Sequence, residues 1–216
     1  MRIGSQLRTL VHYVRGQGVE VDRHVWESEY ERGDWRYLRE LGQMPRNAVV
    51  AGYLRHFRPD AAVLDIGCGE GVLQRLLAPD GYRCYVGIDL SERAIETARA
   101  QADDRCQFVQ SDASTWQPPH TFDVVVFNEA LYYFRDPIAV LRRYEAGLKE
   151  DGLIIVSMYA RMGHTNMIWR SVMRHATCLH RTDLRSDGGR RWSVRVFDRP
   201  SALRDPGSDE TLASPA

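Results

Sequence analysis

Along the chain, short runs that are apolar throughout alternate with stretches in which apolar residues recur every three or four positions. The run "AVLDIG" (62–67) is followed by "GVLQRLLAP", which sets Val72, Leu73, Leu76 and Leu77 on one helical face. "CYVGIDL" (84–90) leads into "SERAIETARAQA", where Ser91 stands as N-cap before Ala94, Ile95 and Ala98 at helical spacing. "CQFVQSD" (106–112) reads as a third strand. "FDVVVFN" (122–128) has the unbroken β-branched run of a strand covered on both faces. "DPIAVLRRYEAGL" predicts a helix with Pro137 in its first turn, and "GLIIVSMY" (152–159) a fifth strand. This alternation specifies a parallel sheet with helices on both faces.

The pattern changes toward both ends. "VWESEYERGDWRYLREL" and "RNAVVAGYLRHF" predict helices laid across the sheet. After residue 163, "TNMIWRSVMRHA" predicts another helix. "CLHRTDLRS" and "RRWSVRVFDR" then flank "DGG", a hairpin turn signal, so the sheet is expected to close on an antiparallel pair. The last stretch is polar and rich in Pro, Ser and Gly, the composition of a disordered tail. The expected organisation is a helical cap over 1–45, a sheet domain over 46–200 and a tail over 201–216.

Composition narrows the function. A chain of 216 residues suits one sheet domain with a full core. Its 29 basic and 29 acidic residues cancel, which argues against a nucleic-acid partner. No apolar run is long enough to span a bilayer, and the N-terminus lacks a signal-peptide core, so a cytoplasmic protein is expected. Cys68, Cys84, Cys106 and Cys178 have no metal-ligand spacing, which predicts reduced thiols and no metal.

The chemistry concentrates at the ends of the first three strands. "VLDIGCGEG" (63–71) places Gly67, Gly69 and Gly71 after a strand, with Asp65 two residues before the first glycine. Such a turn brings backbone close to a ligand. Val72 stands where a dinucleotide fingerprint has its third glycine, and Asp65 is electrostatically wrong for a pyrophosphate. A carboxylate there suits a cationic amino group. Asp89, ending the second strand, can accept from two ribose hydroxyls, and Asp112, past the third, from an exocyclic amine. Together they describe a pocket for a nucleoside with a cationic tail. Each aspartate taken singly could equally cap the helix after it.

In order and spacing, "VLDIGCGEG", "GIDLSERAIETAR", "FVQSDASTW", "FDVVVFNEALYYF" and "LKEDGLIIVSM" resemble the successive motifs of class I S-adenosylmethionine-dependent methyltransferases. The resemblance covers about residues 50 to 160. It implies a doubly wound, seven-stranded, mostly parallel α/β sheet of Rossmann-like type, with strand seven antiparallel. It also implies S-adenosylmethionine as cofactor, with S-adenosylhomocysteine as product. Asp65, Gly67, Cys68 and Gly69 would surround the methionine part of the cofactor. Asp89 and Leu90 would meet the ribose, Asp112 and Ala113 the adenine, and the Asn128 backbone carbonyl the amino group. "VWESEYERGDWRYL" more loosely resembles the N-terminal region of NodS-like and sugar- or natural-product-modifying enzymes. In the same stretch Tyr30, Trp35 and Tyr37 could form an aromatic lid toward the sulfonium or, at helical spacing, could simply be core.

The acceptor implied is a small molecule, a sugar or secondary metabolite, methylated on a hydroxyl or an amine by a monomer or homodimer. Glu129, Tyr132 and His164 are the candidates to assist deprotonation, and of these His164 alone has an ordinary pKa near neutrality. Glu129 could instead pair with an arginine such as Arg135. Ubiquinone-type methyltransferases often have a histidine where this chain has Tyr133, so their base does not carry over. A silent S-adenosylmethionine-binding partner protein and a nicotinamide oxidoreductase are the rival readings.

Overall fold

The computed structural model describes residues 17–160 and 164–200. They build a seven-stranded sheet from β1 (Ala62–Ile66), β2 (Cys84–Asp89), β3 (Cys106–Gln110), β4 (Phe122–Asn128), β5 (Leu148–Tyr159), β6 (Cys178–Arg185) and β7 (Arg191–Asp198). The strand order is β3-β2-β1-β4-β5-β7-β6. Strands β1 to β5 pair in parallel, and β7 runs antiparallel to both β5 and β6. This is the expected mostly parallel α/β sheet with a C-terminal antiparallel hairpin. The hairpin closes where Ser186 N–H donates to the Arg190 carbonyl at 2.9 Å, with Gly189 at φ 77°.

The helices are α1 (Arg23–Arg32), α2 (Met44–Phe57), α3 (Val72–Leu77), α4 (Glu92–Arg99), α5 (Pro137–Glu145) and α6 (His164–His175). Side chains alternate across the sheet and give it two cores. Leu64, Val125, Phe127, Ile154 and Val156 pack with Leu141, Tyr144, Ile168 and Trp169 of α5 and α6. Val63, Val124, Val126 and Ile155 pack with Val50, Leu54, Leu73 and Ile95 of α2, α3 and α4. The continuous apolar character of β4 follows from this double cover. Among the described residues, no helix is long and apolar enough to cross a membrane.

Two boundaries differ from the periodicity. The helix expected from Val25 to Leu41 stops at Arg32, because Gly33 adopts φ 75° and returns its N–H to the Tyr30 carbonyl. Two 3₁₀ turns, Arg36–Arg39 and Leu41–Gln43, carry the chain onward. At the other boundary α5 ends at Glu145, and Leu148 already pairs with Phe122. The register then jumps to Val124 with Leu153, so Lys149 to Gly152 form an irregularity inside β5. The expected tail and the first sixteen residues of the expected cap lie outside the described residues.

Candidate active site

The carboxyl ends of β1, β2 and β4 open on a cavity of about 520 Å³, a size typical of small-molecule sites. Its floor is the turn after β1. Gly67 and Cys68 both donate backbone N–H to the Ile88 carbonyl, at 2.8 and 3.0 Å, which ties the turn to β2. Gly67 has φ 73°, and a Cβ there would stand 2.6 Å from that of Ala130. No side chain fits between this turn and the loop after β4, so the backbone itself faces the cavity. Cys68 is buried in the turn, and burial pushes its thiol well above the ordinary range, which keeps it protonated.

Asp65 lines this floor and is 1% exposed. One carboxylate oxygen accepts from the Tyr85 hydroxyl, while Oδ1 is buried without a partner among the described residues. Burial raises its pKa to about 7, against the opposing pull of the Tyr85 hydrogen bond. Arg46 of α2 lines the same cavity at 4% exposure. Its Nε is also buried without a partner, and its nearest carboxylate, Glu129, stands 3.7 Å away. Burial lowers its pKa to about 10, so it remains a cation at neutral pH. A buried carboxylate and a buried guanidinium, each with an unused atom, match the ammonium and carboxylate of an α-amino acid.

Asp89 ends β2. Its Oδ2 accepts from Gly69 N–H and its Oδ1 from Ser91 N–H, both at 2.9 Å. It therefore holds the glycine turn as well as facing the cavity. Burial raises its pKa against these backbone bonds. Tyr30 lies over the turn, with its hydroxyl 3.1 Å from where a Gly69 Cβ would be. Asp112 is exposed on the cavity rim and caps its own turn, accepting from Ser114 N–H at 2.7 Å. Leu90 and Ala113 line the wall between them.

At the end of β4, the Asn128 side chain donates to Asn47 at 2.7 Å and accepts from Ser157 at 2.8 Å. Glu129 has φ 65°, an unusual conformation for a side chain-bearing residue. Its carboxylate accepts from the Tyr132 hydroxyl at 2.9 Å, Tyr159 N–H at 3.0 Å and the Ser157 hydroxyl at 3.0 Å. The arginine beside it is Arg46, not Arg135. Tyr132 is buried, which raises its pKa far above neutrality and keeps the phenol protonated. His164 requires a correction. It is the first residue of α6, 4% exposed, and its Nε2 lies 2.8 Å from the Gln17 carbonyl. It is not among the cavity-lining residues, because α6 starts at His164 and turns its ring inward against the segment before α1.

Trp26, Tyr30, Trp35, Tyr37 and Leu38, from the segment before α2, also line the cavity. Trp35 stacks near Trp26 at 5.3 Å, Tyr30 at 6.1 Å and Tyr37 at 5.9 Å, and Trp26 meets Tyr133 edge-on at 4.8 Å. Glu27 of α1 caps α4, accepting from Glu92 N–H at 2.8 Å and the Ser91 hydroxyl at 3.0 Å. Arg39 pairs with Glu70 of the glycine turn at 2.6 Å.

Sequence reasoning missed Arg46, Gln43 and Asn47. The signal was present: positions 43, 46, 47, 50 and 54 form one helical stripe, and its first three members are polar yet buried. It also missed Arg190 and Trp192, which the hairpin brings to the cavity.

A family model described as "Methyltransferase domain" matches residues 34–195. The chain belongs to this methyltransferase family. Ubiquinone biosynthesis O-methyltransferase of Neisseria meningitidis serogroup A is 35% identical over 101 residues, 44% of this chain and 42% of that protein. The enzyme of the same name from Vibrio cholerae serotype O1 is 29% identical over 141 residues, 63% of this chain and 55% of that one. The chain thus spans about half the length of these relatives. The N-methyltransferase NodS of Bradyrhizobium japonicum, solved with S-adenosylhomocysteine, superposes with a TM-score of 0.66 at 20% identity, over 77% of this chain and 91% of that one. A 1,6-didemethyltoxoflavin-N1-methyltransferase of Burkholderia thailandensis superposes at 0.67 and 20% identity, over 82% and 87%. The fold is that of class I S-adenosylmethionine-dependent methyltransferases. The family membership leaves the nicotinamide alternative without support.

Proposed function

We propose that this methyltransferase moves the sulfonium methyl group of S-adenosylmethionine to a hydroxyl of a small molecule. The observation that carries the reading is the pair of unused buried atoms, Asp65 Oδ1 and Arg46 Nε, beside the Asp89 carboxylate. Asp65 takes the ammonium of the methionine part and Arg46 its carboxylate, with the Asn128 carbonyl adding an acceptor. Asp89 takes the ribose hydroxyls, flanked by Leu90, and Asp112 takes the adenine amine beside Ala113. Gly67, Cys68 and Gly69 provide the backbone surface, and Tyr30 covers it. When bound, S-adenosylmethionine supplies an already activated methyl group.

The protein's remaining task is to orient the acceptor and exclude water. Glu129 is committed to three hydrogen bonds, and Tyr132 is held protonated. With His164 outside the cavity, neither loop residue stands as a free base, so as the O–CH3 bond forms and the S–CH3 bond breaks the hydroxyl proton passes to solvent at the cavity mouth. We assign Glu129 to positioning Tyr132 and the end of β5 at the acceptor side. The relatives of higher identity are named O-methyltransferases, and no unpaired carboxylate on the β4 loop awaits a cationic amine, which favours a hydroxyl over an amine. The test is an acceptor screen read by mass spectrometry. A methyl mass gain matched by equimolar S-adenosylhomocysteine is expected. Transfer to amines alone would make it an N-methyltransferase, and tight S-adenosylhomocysteine binding without transfer to any acceptor would leave a silent binding protein.

A further inference from the structure

The sheet order assigns places along the cavity. Asp112 follows β3, Asp89 ends β2, Asp65 lies on β1 and Glu129 follows β4, so the proposed cofactor runs from β3 toward β4. What continues past β4 is the edge of β5 and β7. There Tyr159 pairs with Trp192 in register, their rings 5.8 Å apart, and Arg190 precedes them on the hairpin turn. Opposite stand Trp35 and Tyr37 of the cap. Trp35 spends its indole N–H on Glu29 at 3.1 Å, so it offers the cavity a ring face and no donor. The Arg190 guanidinium lies 5.9 Å over the Tyr37 ring, at the outer limit of a cation–π contact. Tyr37 orients this cation without neutralising it. Among the described residues no carboxylate forms an ion pair with Arg190. Glu70 is engaged by Arg39, and Glu20, which also lines the cavity, is not paired with Arg190.

We propose that Arg190 is a specificity-determining residue that selects acceptors carrying an anionic group on a flat aromatic ring. This rests on the methyl-transfer reading, under which the acceptor meets the methyl group beyond the β4 end of the cofactor. The ring lies against the aromatic faces of the cap and hairpin, its hydroxyl points toward the β4 loop, and its anion meets the guanidinium fork. Carboxylate and phosphate share the chemistry needed, so the probes must separate them.

The test uses the full chain saturated with S-adenosylhomocysteine and reads binding by calorimetry. The probes are the hydroxybenzoate isomers, their neutral methyl esters, hydroxyphenyl phosphate, and inorganic phosphate. At least one aromatic anion should bind fivefold or more tightly than its neutral counterpart. Whether benzoate or aryl phosphate gains more identifies the anion, and inorganic phosphate alone should bind weakly. Arg190→Gln should bring acid and ester to within twofold of each other, Arg190→Lys should keep part of the difference, and S-adenosylhomocysteine affinity should stay unchanged in both. Equal binding of acid and ester by the unaltered protein, or a preference that survives Arg190→Gln, would overturn the assignment while leaving the cofactor reading intact. Failure of S-adenosylhomocysteine to bind would sink the methyl-transfer reading first, and this proposal with it.

Discussion

Asp65 is the residue on which the cofactor reading can be tried most severely. Its carboxyl is pushed by burial to about 7, against about 3.9 for a solvated aspartate. A ligand ammonium needs the ionised form, and once bound it should return the pKa toward the ordinary range. Binding therefore releases a proton whenever the empty site is protonated. With a pKa of about 7 in the empty protein, the dissociation constant of S-adenosylhomocysteine should weaken roughly 25-fold between pH 7.5 and pH 5.5. The ligand's own ammonium and carboxylate keep their charges in that window. Arg46 and Tyr85, which face Asp65, do not produce this slope. Arg46, at about 10, stays charged. Tyr85 is raised well above its ordinary value by burial and stays protonated. Asp89 is also raised by burial, and it adds to the trend in the same direction.

The sign for folding is the opposite. A carboxyl whose folded pKa lies above its unfolded one binds its proton more tightly when folded. Its contribution to stability is complete below about pH 4 and is lost as pH rises toward 7, by at most about 4 kcal/mol. The rise in Tm on adding S-adenosylhomocysteine should accordingly be larger at pH 7.5 than at 5.5. Asp65→Asn should bind weakly and lose most of the pH slope. Calorimetry at four pH values measures both variants. A wild-type dissociation constant constant within twofold across the window, or a full slope in Asp65→Asn, would refute the reasoning.

Gly18 is buried, and a Cβ on it would collide with the Phe134 carbonyl and stand 2.6 Å from that of Tyr132, next to the Val19 N–H bond that docks the cap. Gly18→Ala should speed tryptic cleavage at Arg23 and Arg32 several-fold while the sheet keeps its far-ultraviolet spectrum; unchanged cleavage would mean that the cap is held elsewhere. Glu145, 1% exposed, accepts from His175 Nε2 at 2.7 and 2.9 Å between α5 and α6. His175→Ala should cost about 3 kcal/mol in urea unfolding by stranding the carboxylate, and adding Glu145→Gln should recover part of it; a loss under 1 kcal/mol would show that water reaches the carboxylate.

What was legible in the sequence was what strand periodicity and turn chemistry dictate. The run over 122–128, the cap at Ser91 and the "DGG" hairpin each announced an element through local physics. That the three aspartates line one cavity was legible because strand ends in a parallel sheet share one edge. Arg46 was not, since its place in the cavity depends on a helix that packs over β4, β5 and β7, a tertiary fact. His164 misled for the same reason: its titration range suits a base, but only packing decides whether the ring faces the cavity or the Gln17 carbonyl. The length of α1 was misread because Trp35 and Tyr37 continue a helical pattern that Gly33 interrupts.

The two halves of the cavity are built by different means. On the cofactor side the groups stand on strand ends and on a glycine turn tied to β2, so pairing of β1 with β2 and β4 fixes their spacing. Shifting any one of them by a residue would turn a core side chain to the wrong face. On the proposed acceptor side Tyr37 stands on a 3₁₀ turn and Arg190 on the turn between β6 and β7. Tyr37 and Arg190 are both exposed. Substitutions of Tyr37 and Arg190 should leave the sheet intact and change chiefly what the cavity accepts. Acceptor preference should therefore be transferable by exchanging residues 35–38 and 186–190 together, while exchange of either segment alone would separate the Tyr37 ring from the cation it orients.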